Sequence, residues 1–548
     1  MNCYYPSLKV YKNIICIIFF LLFAINGYGQ GPDIVWAKTY GGTKGDFGNW
    51  IQQTINDGYI VVGGTYSSDG DVIGYHGGFG EDFWVVNLKD SNIVWEEALG
   101  GSADDIAYSV ATTTDAGYIV AGHTFSIDGD VMGNHGGSDM WIVKLSSGGS
   151  IEWQKCLGGS MDEKAYSIQQ TKDGGYIVAG STLSDDGDVI RTRVPADSSQ
   201  DMWIVKLDDT GKILWQKCLG GSYSEVAWSI AQTTDNGYIV AGSTNSDDGD
   251  VSGYHGTPNY NDDYWVVKLD DTGKITWQRC LGGSLDDQAL SVQQTIDGAY
   301  IVAGSAYSND GDVSGNHGGA DTWVVKLTDT GIIWDRCYGG SSDDEPWSIQ
   351  HTNDGGYLVS ATTTSNDGDV SGNHGDQDYW LLKLASTGGI EWQKCIGGSY
   401  VDNANNAIEC NDGSYAIVGW TLSFDGEVKG YRDSTFTDLD GDMWIVKLDK
   451  DTVTDTITSV ATISMHDVIK VYPTIVKNGI VHINMPQGFE QAAIRVTNIS
   501  GQVASVIGNN NNGIDRVINL NNLPDGEYVL QVLNAGKTYS YKVIVHKE

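Results

Sequence analysis

The order of apolar and polar residues predicts short β-strands along most of this 548-residue chain. At residues 176–179 four apolar residues follow one another, a pattern typical of strands that are buried on both faces. Glycine-containing pairs such as Asp173-Gly174 separate these runs and favour tight hairpins. The chain is therefore predicted to be a succession of buried strands joined by turns.

One unit accounts for most of the chain, because the parts of the stretch 174–222 recur seven times. Each copy holds four strand-like segments, which in the third copy are residues 165–171, 175–182, 201–207 and 212–221. Four-stranded units of 57 to 64 residues, stacked around an axis, predict a β-propeller.

Two series of tryptophans predict seven blades. The third segments carry Trp84, Trp141, Trp203, Trp265, Trp323, Trp380 and Trp444, and the fourth segments carry Trp36, Trp95, Trp153, Trp215, Trp277, Trp334 and Trp392. The repeat begins on a fourth segment at 34–42 and ends on a third at 442–448, so the N-terminal strand is predicted to complete the last blade. The predicted fold is all-β: a seven-bladed propeller at 31–448, followed by a small C-terminal β-sandwich.

The copies resemble bacterial exported β-propeller repeats of the kind DGGYIVAGxT...DxWVVKLDxxGxIxWxKxxGG. The resemblance covers residues 34–448 and implies the propeller fold. It implies no particular activity, because propellers host binding proteins, hydrolases and lyases alike.

Residues 1–29 have the pattern of a secretory signal peptide, in which Lys9 and Lys12 precede an apolar core at 14–25. That core is too short to cross a bilayer, and no later apolar run could anchor the chain, so we expect an exported mature form without a membrane span. The formal net charge of −39 argues against nucleic acid and anionic membrane surfaces as partners.

The cysteines of the repeats are predicted to be buried thiols rather than disulfides. Five of the six beyond the signal region occupy one repeat position, where the first two copies have Thr39 and Ala98. A position that accepts these residues calls for a small side chain, and equivalent points on neighbouring blades are too far apart for a bridge.

The long connections are those between strands two and three and between strand four and the next strand one. They emerge on one face, so a ligand site is predicted there. The DGDV sequence of the two-to-three loops offers paired carboxylates that suit calcium as a cofactor, and its alternative is an Asp-Gly turn bonded to its own backbone. The metal candidates are Asp186, Asp188, Asp248, Asp250, Asp310 and Asp312. Five histidines at one repeat position (His76, His135, His255, His317 and His374) are expected to bond within their own loops.

Residues that depart from the repeat are the candidates for ligand binding. Trp50, Trp228 and Trp347 lie on first strands where other copies have Tyr108, Tyr166, Leu290 or Asn406, and Trp420 has no counterpart. Longer two-to-three loops occur at 190–200, 257–262 and 429–441. The ligand-binding candidates are Arg191, Arg193, Tyr260, Arg432 and Trp420, with core packing and drift of surface loops as the alternatives. No catalytic residue is assigned.

After a polar linker at 449–466 the composition changes, and residues 467–548 predict about seven short strands in a compact sandwich. Within it lie Tyr472, Pro473, Gly501, Gln502, Leu523, Pro524, Gly526 and Tyr528. In these residues the segment resembles the C-terminal sorting domain of the type IX secretion system of Bacteroidota. That resemblance implies the type IX machinery as a partner and a secreted or outer-cell-surface location.

Together these features favour a secreted or cell-surface propeller that acts as a binding or scaffold module through its loop-rich face. An extracellular glycan or protein is the expected ligand. The alternative is a glycan-degrading enzyme, a lyase or a hydrolase, that uses carboxylates on the same face.

Overall fold

The structure is a computed structural model. It describes residues 29–78, 80–191, 199–431 and 441–451, and in the C-terminal part 470–472, 475–476, 480–485, 493–498, 503–507, 515–520, 523–534 and 537–545. Its contacts divide the chain into two compact units, 1–452 and 453–548. The secondary structure of these ranges is β, and none of them forms a helix long and apolar enough to cross a membrane.

The described residues of the first unit form twenty-nine strands. Those up to the third blade are β1 Gly29–Gln30, β2 Ile34–Tyr40, β3 Asp46–Gln53, β4 Tyr59–Thr65, β5 Asp82–Lys89, β6 Asn92–Leu99, β7 Asp105–Thr112, β8 Tyr118–Thr124, β9 Asp139–Leu145, β10 Ile151–Leu157, β11 Glu163–Gln170, β12 Tyr176–Thr182, β13 Asp201–Leu207 and β14 Ile213–Leu219. The remainder are β15 Glu225–Gln232, β16 Tyr238–Thr244, β17 Asp263–Leu269, β18 Ile275–Leu281, β19 Asp287–Gln294, β20 Tyr300–Ala306, β21 Asp321–Thr328, β22 Gly331–Tyr338, β23 Asp344–His351, β24 Tyr357–Thr363, β25 Asp378–Leu384, β26 Ile390–Ile396, β27 Asp402–Glu409, β28 Tyr415–Thr421 and β29 Asp442–Leu448.

Apart from β1, these strands form seven antiparallel sheets, which are the blades of a propeller. Blades one to six are β3–β6, β7–β10, β11–β14, β15–β18, β19–β22 and β23–β26, and blade seven is β27, β28, β29 and β2. The first strands lie innermost, and residues from all seven line one axial channel. The second strands are buried at every residue except Trp420, as their unbroken apolar runs predict.

The hydrophobic core of the propeller lies between the blades. It consists of seven clusters, and each draws its side chains from two successive blades. The fourth-strand tryptophans contribute here: Trp153 packs its ring edge-on against Tyr176 of the next blade at 5.7 Å between centroids. A blade therefore depends on its neighbours for burial, as expected of stacked repeats.

The ring closes as the sequence predicts. Strand β2 pairs antiparallel with β29, from Ile34 opposite Leu448 to Tyr40 opposite Met443. One hydrophobic cluster joins blade seven to blade one, and Asn405 Nδ2 donates to the Gly48 carbonyl across this junction at 2.8 Å. The N-terminal strand is thus the outer strand of the last blade.

The predicted signal peptide falls mostly on residues 1–28, which lie outside the described ranges. Gly29, placed at the end of the predicted signal peptide, belongs to β1, which runs parallel to β26 of blade six. The linker prediction also falls largely outside, at 452–469. The six repeat cysteines are free thiols, five of them buried and Cys218 half-buried, in line with the prediction.

The C-terminal unit contains eight described strands, one more than predicted. They are β30 Lys470–Tyr472, β31 Ile475–Val476, β32 Ile480–Asn484, β33 Ala493–Asn498, β34 Val503–Ile507, β35 Asp515–Asn519, β36 Gly526–Asn534 and β37 Lys537–Val545. They form a three-stranded and a five-stranded sheet whose apolar residues share one core, for example Ile483 with Leu530. This is the predicted β-sandwich, and the extra strand is the two-residue β31.

Candidate functional site

Every first strand of the propeller carries a β-bulge at its fourth residue, where the register with the second strand shifts. A bulge leaves one residue unpaired and redirects its side chain. The seven bulge residues are Asn49, Tyr108, Tyr166, Trp228, Leu290, Trp347 and Asn405. All of them line one cavity of about 390 Å³ on the propeller axis, together with Trp50, Asn403 and Trp420.

We call this space the axial cavity. Its lining comes from the second, fourth and fifth residues of the first strands, plus Trp420 of β28. Because the first strands begin at the loop-rich face, the cavity lies in the half of the channel nearer that face. A volume of this size falls within the range of about 300–1,000 Å³ typical of small-molecule sites.

One wall of the axial cavity is an arc of aromatic rings. The centroids of Tyr108 and Tyr166 are 5.2 Å apart, and those of Tyr166 and Trp228 are 4.3 Å apart. Elsewhere on the lining, Trp420 meets Phe47 edge-on at 5.8 Å, and Trp347 is 38% exposed. The rings are held by contacts with one another, so they offer fixed faces to a ligand.

Three asparagines supply the polar part of the lining. Asn49 Nδ2 donates to the Ala107 carbonyl at 2.8 Å, and Asn405 Nδ2 donates to Gly48 O at 2.8 Å and to Asn49 Oδ1 at 3.2 Å. In the described part of the chain, the Oδ1 atom of Asn405 and the Asn403 amide have no such partner. The cavity therefore presents oriented amides that can still accept or donate.

The lining is electrically neutral. Among the described lining residues the ionisable side chains are tyrosines, and burial raises the pKa of Tyr166 to about 12. Behind Tyr108 stacks His123, whose ring lies 5.6 Å away, and burial together with Lys164 lowers the pKa of this histidine to about 3. These side chains all remain uncharged at neutral pH.

Below the axial cavity the blades are joined by a belt of side chain to backbone hydrogen bonds. At five junctions a first-strand serine accepts from the backbone N–H of the next blade, as Ser109 does from Ile168 at 3.3 Å. Asn406 takes this role where blade seven meets blade one. Trp50 occupies the serine position in blade one, which is the reason that it alone among the tryptophans borders both this level and the cavity.

The sequence-based grouping of the first-strand residues was wrong for two of them. Trp50 and Asn406 stand one residue beyond the bulge, whereas Asn49 and Asn405 share the position of Tyr108. The bulge residue itself is not glycine or proline in any blade, and only Gly48 and Pro346, directly before it in blades one and six, indicate a break in the strand. The clearer signal is the alignment of the seven copies. The position before the bulge holds a small residue and the position after it is serine in most copies, whereas the bulge position itself varies.

Of the three predicted ligand-binding residues that the structure describes, Trp420 lines the axial cavity and the other two do not. Arg191 is buried, with Nη2 donating to the carbonyls of Thr182 at 2.9 Å and Ser199 at 2.8 Å, and with Nε 3.5 Å from Asp201 Oδ2. Tyr260 is 78% exposed on its loop. Arg193 and Arg432 lie outside the described residues.

Arg191 stands in for the repeated histidine. In five other blades that histidine lies beside the aspartate that opens the third strand, as His135 Nδ1 does at 2.6 Å from Asp139 Oδ2. The third blade has no histidine, and Arg191 faces the corresponding Asp201. The histidines thus pair with buried aspartates of their own loops, as predicted, and His76 Nε2 also reaches Asp130 of the next blade at 3.4 Å.

The DGDV aspartates join neighbouring loops. In each blade the first aspartate accepts from a backbone N–H of the preceding four-to-one loop, for example Asp186 from Ser160 at 2.7 Å, Asp248 from Ser222 at 2.7 Å and Asp310 from Ser284 at 2.8 Å. Asp250 Oδ2 accepts from Gly220, Asp312 Oδ2 lies 3.6 Å from His255, and the Asp188 backbone bonds Gly158. No three His, Cys, Asp or Glu residues within the described ranges group as metal ligands would. Calcium thus rests on the sequence pattern alone.

The predicted sorting residues contribute to the C-terminal sandwich where the structure describes them. Tyr528 is buried and its hydroxyl donates to the Pro524 carbonyl at 2.9 Å, while Leu523 packs on the core. Gly526 begins β36. Tyr472 lies in β30, and Pro473, Gly501 and Gln502 fall outside the described residues.

Comparison with known proteins identifies the C-terminal segment. Residues 470–546 match the family model described as secretion system C-terminal sorting domain. Among curated proteins, the regulatory protein FlaEY of Caulobacter vibrioides is 23% identical over 224 residues, a match that covers 39% of this chain and 23% of that protein.

Two solved structures illustrate the similarity in fold. PorZ, an essential bacterial surface component of the type IX secretion system of Porphyromonas gingivalis, is 10% identical with a TM-score of 0.37, covering 89% of this chain and 58% of its own. The endosialidase of phage phi92 is 12% identical with a TM-score of 0.37, covering 93% and 87%. At these identities neither similarity transfers an activity. The chain is a β-propeller that ends in a type IX secretion sorting domain, and it is exported to the cell surface or secreted.

Proposed function

We propose that the propeller binds an uncharged glycan in the axial cavity and performs no reaction on it. The observation that carries this proposal is the lining itself: six blades deliver aromatic rings or amides to one point and blade five adds Leu290, with no carboxylate or base among the described lining residues. Aromatic faces stack against the apolar C–H faces of sugar rings, and amides hydrogen-bond to hydroxyl groups. Both features suit a glycan.

Charge supports an uncharged ligand. The chain carries a formal net charge of −39, so its field repels polyanions such as acidic polysaccharides or nucleic acid. The cavity itself holds no cation that could compensate this repulsion within the described residues. A neutral oligosaccharide approaches without that penalty.

The carboxylates that an enzyme would need have another use. Those of the four-to-one loops accept backbone N–H groups that precede the third strands: Asp162 accepts from Ser138 at 2.9 Å, and Asp343 accepts from Ala320 at 2.9 Å. A general acid must reach its substrate, and these side chains are held in the loops instead. Binding without catalysis is therefore the function that we propose, and the glycan-degrading alternative has no supporting observation here.

Trp228→Ala and Trp347→Ala test the proposal. Screening the purified protein against neutral and acidic glycans, followed by calorimetry on the best neutral ligand, should give binding that each substitution weakens by about tenfold or more, because a stacking ring is lost. Tyr260→Ala is the matched control, since this exposed aromatic residue lies outside the cavity, and its affinity should be unchanged. A preference for acidic glycans, or equal affinity in all variants, would contradict the proposal, and release of shorter products would indicate the enzyme.

A further inference from the structure

The junction between blades seven and one departs from the repeat at a lysine of the third strand. In blades two to six this lysine is buried and pairs with the aspartate of the first-to-second turn, at 2.7 to 3.0 Å. A threonine two residues before that aspartate donates to it, as Thr352 does to Asp354 at 2.6 Å. The arrangement neutralises the buried ammonium group in each of these blades.

Blade seven replaces the threonine with Cys410, and the lysine changes partners. Lys447 Nζ lies 3.0 Å from Cys410 Sγ and 2.6 Å from Tyr59 Oη of blade one. The described residues show no ion pair between Lys447 and Asp412, the aspartate at the repeat position. Cys410, Tyr59 and Lys447 are 1%, 4% and 8% exposed, so the nitrogen and the sulfur are held against each other inside the protein.

This pair lies beside an open cleft on the tight-hairpin face. The cleft has a volume of about 750 Å³ and is lined by Lys447 and Tyr59 together with exposed residues such as Asp57 and Asp412. A small oxidant in the cleft can therefore reach the amine, and the sulfur of Cys410 lies 3.0 Å behind that nitrogen. The protein is exported, so its thiols meet a more oxidising environment than cytosolic ones do.

We propose that Cys410 and Lys447 are an oxidative modification site at which peroxide joins sulfur to nitrogen through one oxygen atom. The thiol sulfur first attacks hydrogen peroxide: an S–O bond forms, the O–O bond breaks, and one water leaves, which yields the sulfenic acid. A second peroxide then oxidises the pair of the sulfenic acid and the neutral amine. The N–O bond forms, one N–H bond, the sulfenic O–H bond and the O–O bond of the second peroxide break, and two waters leave.

The overall balance is one thiol, one amine and two peroxides giving the S–O–N bridge and three waters. Sulfur and nitrogen each lose two electrons, and each peroxide gains two. Cys410 forms no disulfide and Lys447 Nζ lies 3.0 Å from its sulfur, so the oxygen of the sulfenic acid and the nitrogen that it joins in the second oxidation are already adjacent. The bridge closes a loop within blade seven at the junction that completes the ring.

The test uses the full exported chain, treated with either hydrogen peroxide or dithiothreitol and then digested for mass spectrometry. We expect a cross-linked peptide from the peroxide sample, heavier than its two parts by one oxygen and lighter by two hydrogens. The oxidised protein should also melt a few degrees higher, because a cross-link restricts the unfolded chain.

Cys410→Thr, which restores the repeat residue, and Lys447→Arg should each abolish the cross-linked peptide. Circular dichroism shows which of the two variants folds, and a single folded variant is enough for the test. Lys383 is the internal control and should remain unmodified. It occupies the same repeat position in blade six, where Thr352 stands in place of the cysteine. Peroxide treatment of the folded protein that leaves Cys410 unchanged, or oxidises it without a bond to Lys447, would overturn the proposal.

Discussion

At the scale of single residues, the propeller is held together by side chains that repeat in every blade, and its exceptions are informative. In six blades the Nε1 of the third-strand tryptophan donates to a residue of the fourth strand, as Trp141 does to Gln154 at 2.8 Å. Trp444 of blade seven has no acceptor within the described ranges, because β2 carries Ala37 at that position. A buried donor without a partner is costly.

Ala37→Gln should therefore stabilise the protein. The new side chain can accept from Trp444 Nε1, and we expect the free energy of unfolding to rise by about 1 kcal/mol. Chemical denaturation measures it. Ala37→Met, which adds similar volume without an acceptor, is the matched control, and equal stability of the two variants would show that the hydrogen bond is not formed.

The DGDV aspartates give a second residue-scale prediction. Asp186→Ala removes the acceptor of the Ser160 N–H, so the melting temperature should fall by a few degrees. The loss should be the same in calcium and in a chelator, because the acceptor role needs no ion. A drop caused by the chelator alone in the unsubstituted protein would instead support the calcium hypothesis.

At the scale of strands, the repeat made the blade number and the ring closure predictable. Seven diverged copies of one pattern show a consensus that cannot be recognised in a single copy. The same consensus gave no indication of the axial cavity, because the residues that line it differ from copy to copy. The bulge at Tyr166 lies between Ala165 and Ser167 with no residue that marks it, so only the structure shows which column faces the axis. Arg191 was predicted to be available because its loop is long, yet it returns to a buried aspartate. A contact between residues ten positions apart in a loop, such as Arg191 and Asp201, cannot be predicted from the local sequence pattern.

The closing strand makes an element-scale prediction. Deleting residues 31–43 removes β2, leaves the edge of β29 unpaired and opens the seventh blade. We expect one cooperative unfolding transition at a markedly lower temperature, and faster hydrogen exchange even in blade four, which lies far from the deletion. A synthetic peptide of residues 31–43 should restore part of the loss. Faster exchange confined to blades one and seven would mean that the blades unfold separately.

At the scale of the whole molecule, the loop-rich face rests on a ring of buried carboxylates, two for each blade. Burial raises the pKa of Asp46, Asp105, Asp287 and Asp344 to about 6, and that of Asp402 to about 7. In the unfolded chain an aspartate titrates near about 4. These groups thus favour folding when protonated.

The stability of the propeller should therefore depend on pH. A raised carboxylate pKa contributes stability that is complete below about pH 4 and is lost as the pH rises through about 6 to 7. In the opposite direction, the hydrogen bond from Lys326 lowers the pKa of Asp297 to about 2, and that stability is lost as the pH falls from about 4 towards 2. Melting temperatures between pH 3 and 9 should therefore peak near about pH 4 to 5. A maximum at pH 7 or above would contradict the raised pKa values of these buried acids.

The pairing of β2 with β29 also determines when the ring can close during synthesis of the chain. The strand that completes the ring is synthesised first, and its partner is the last strand of the propeller, so the ring cannot close until residue 448 is available. A chain that stops earlier keeps an unpaired sheet edge, the feature that invites aggregation and degradation. The sorting domain begins only after that point. A chain that carries its sorting domain therefore also carries both strands of the pair that closes the ring.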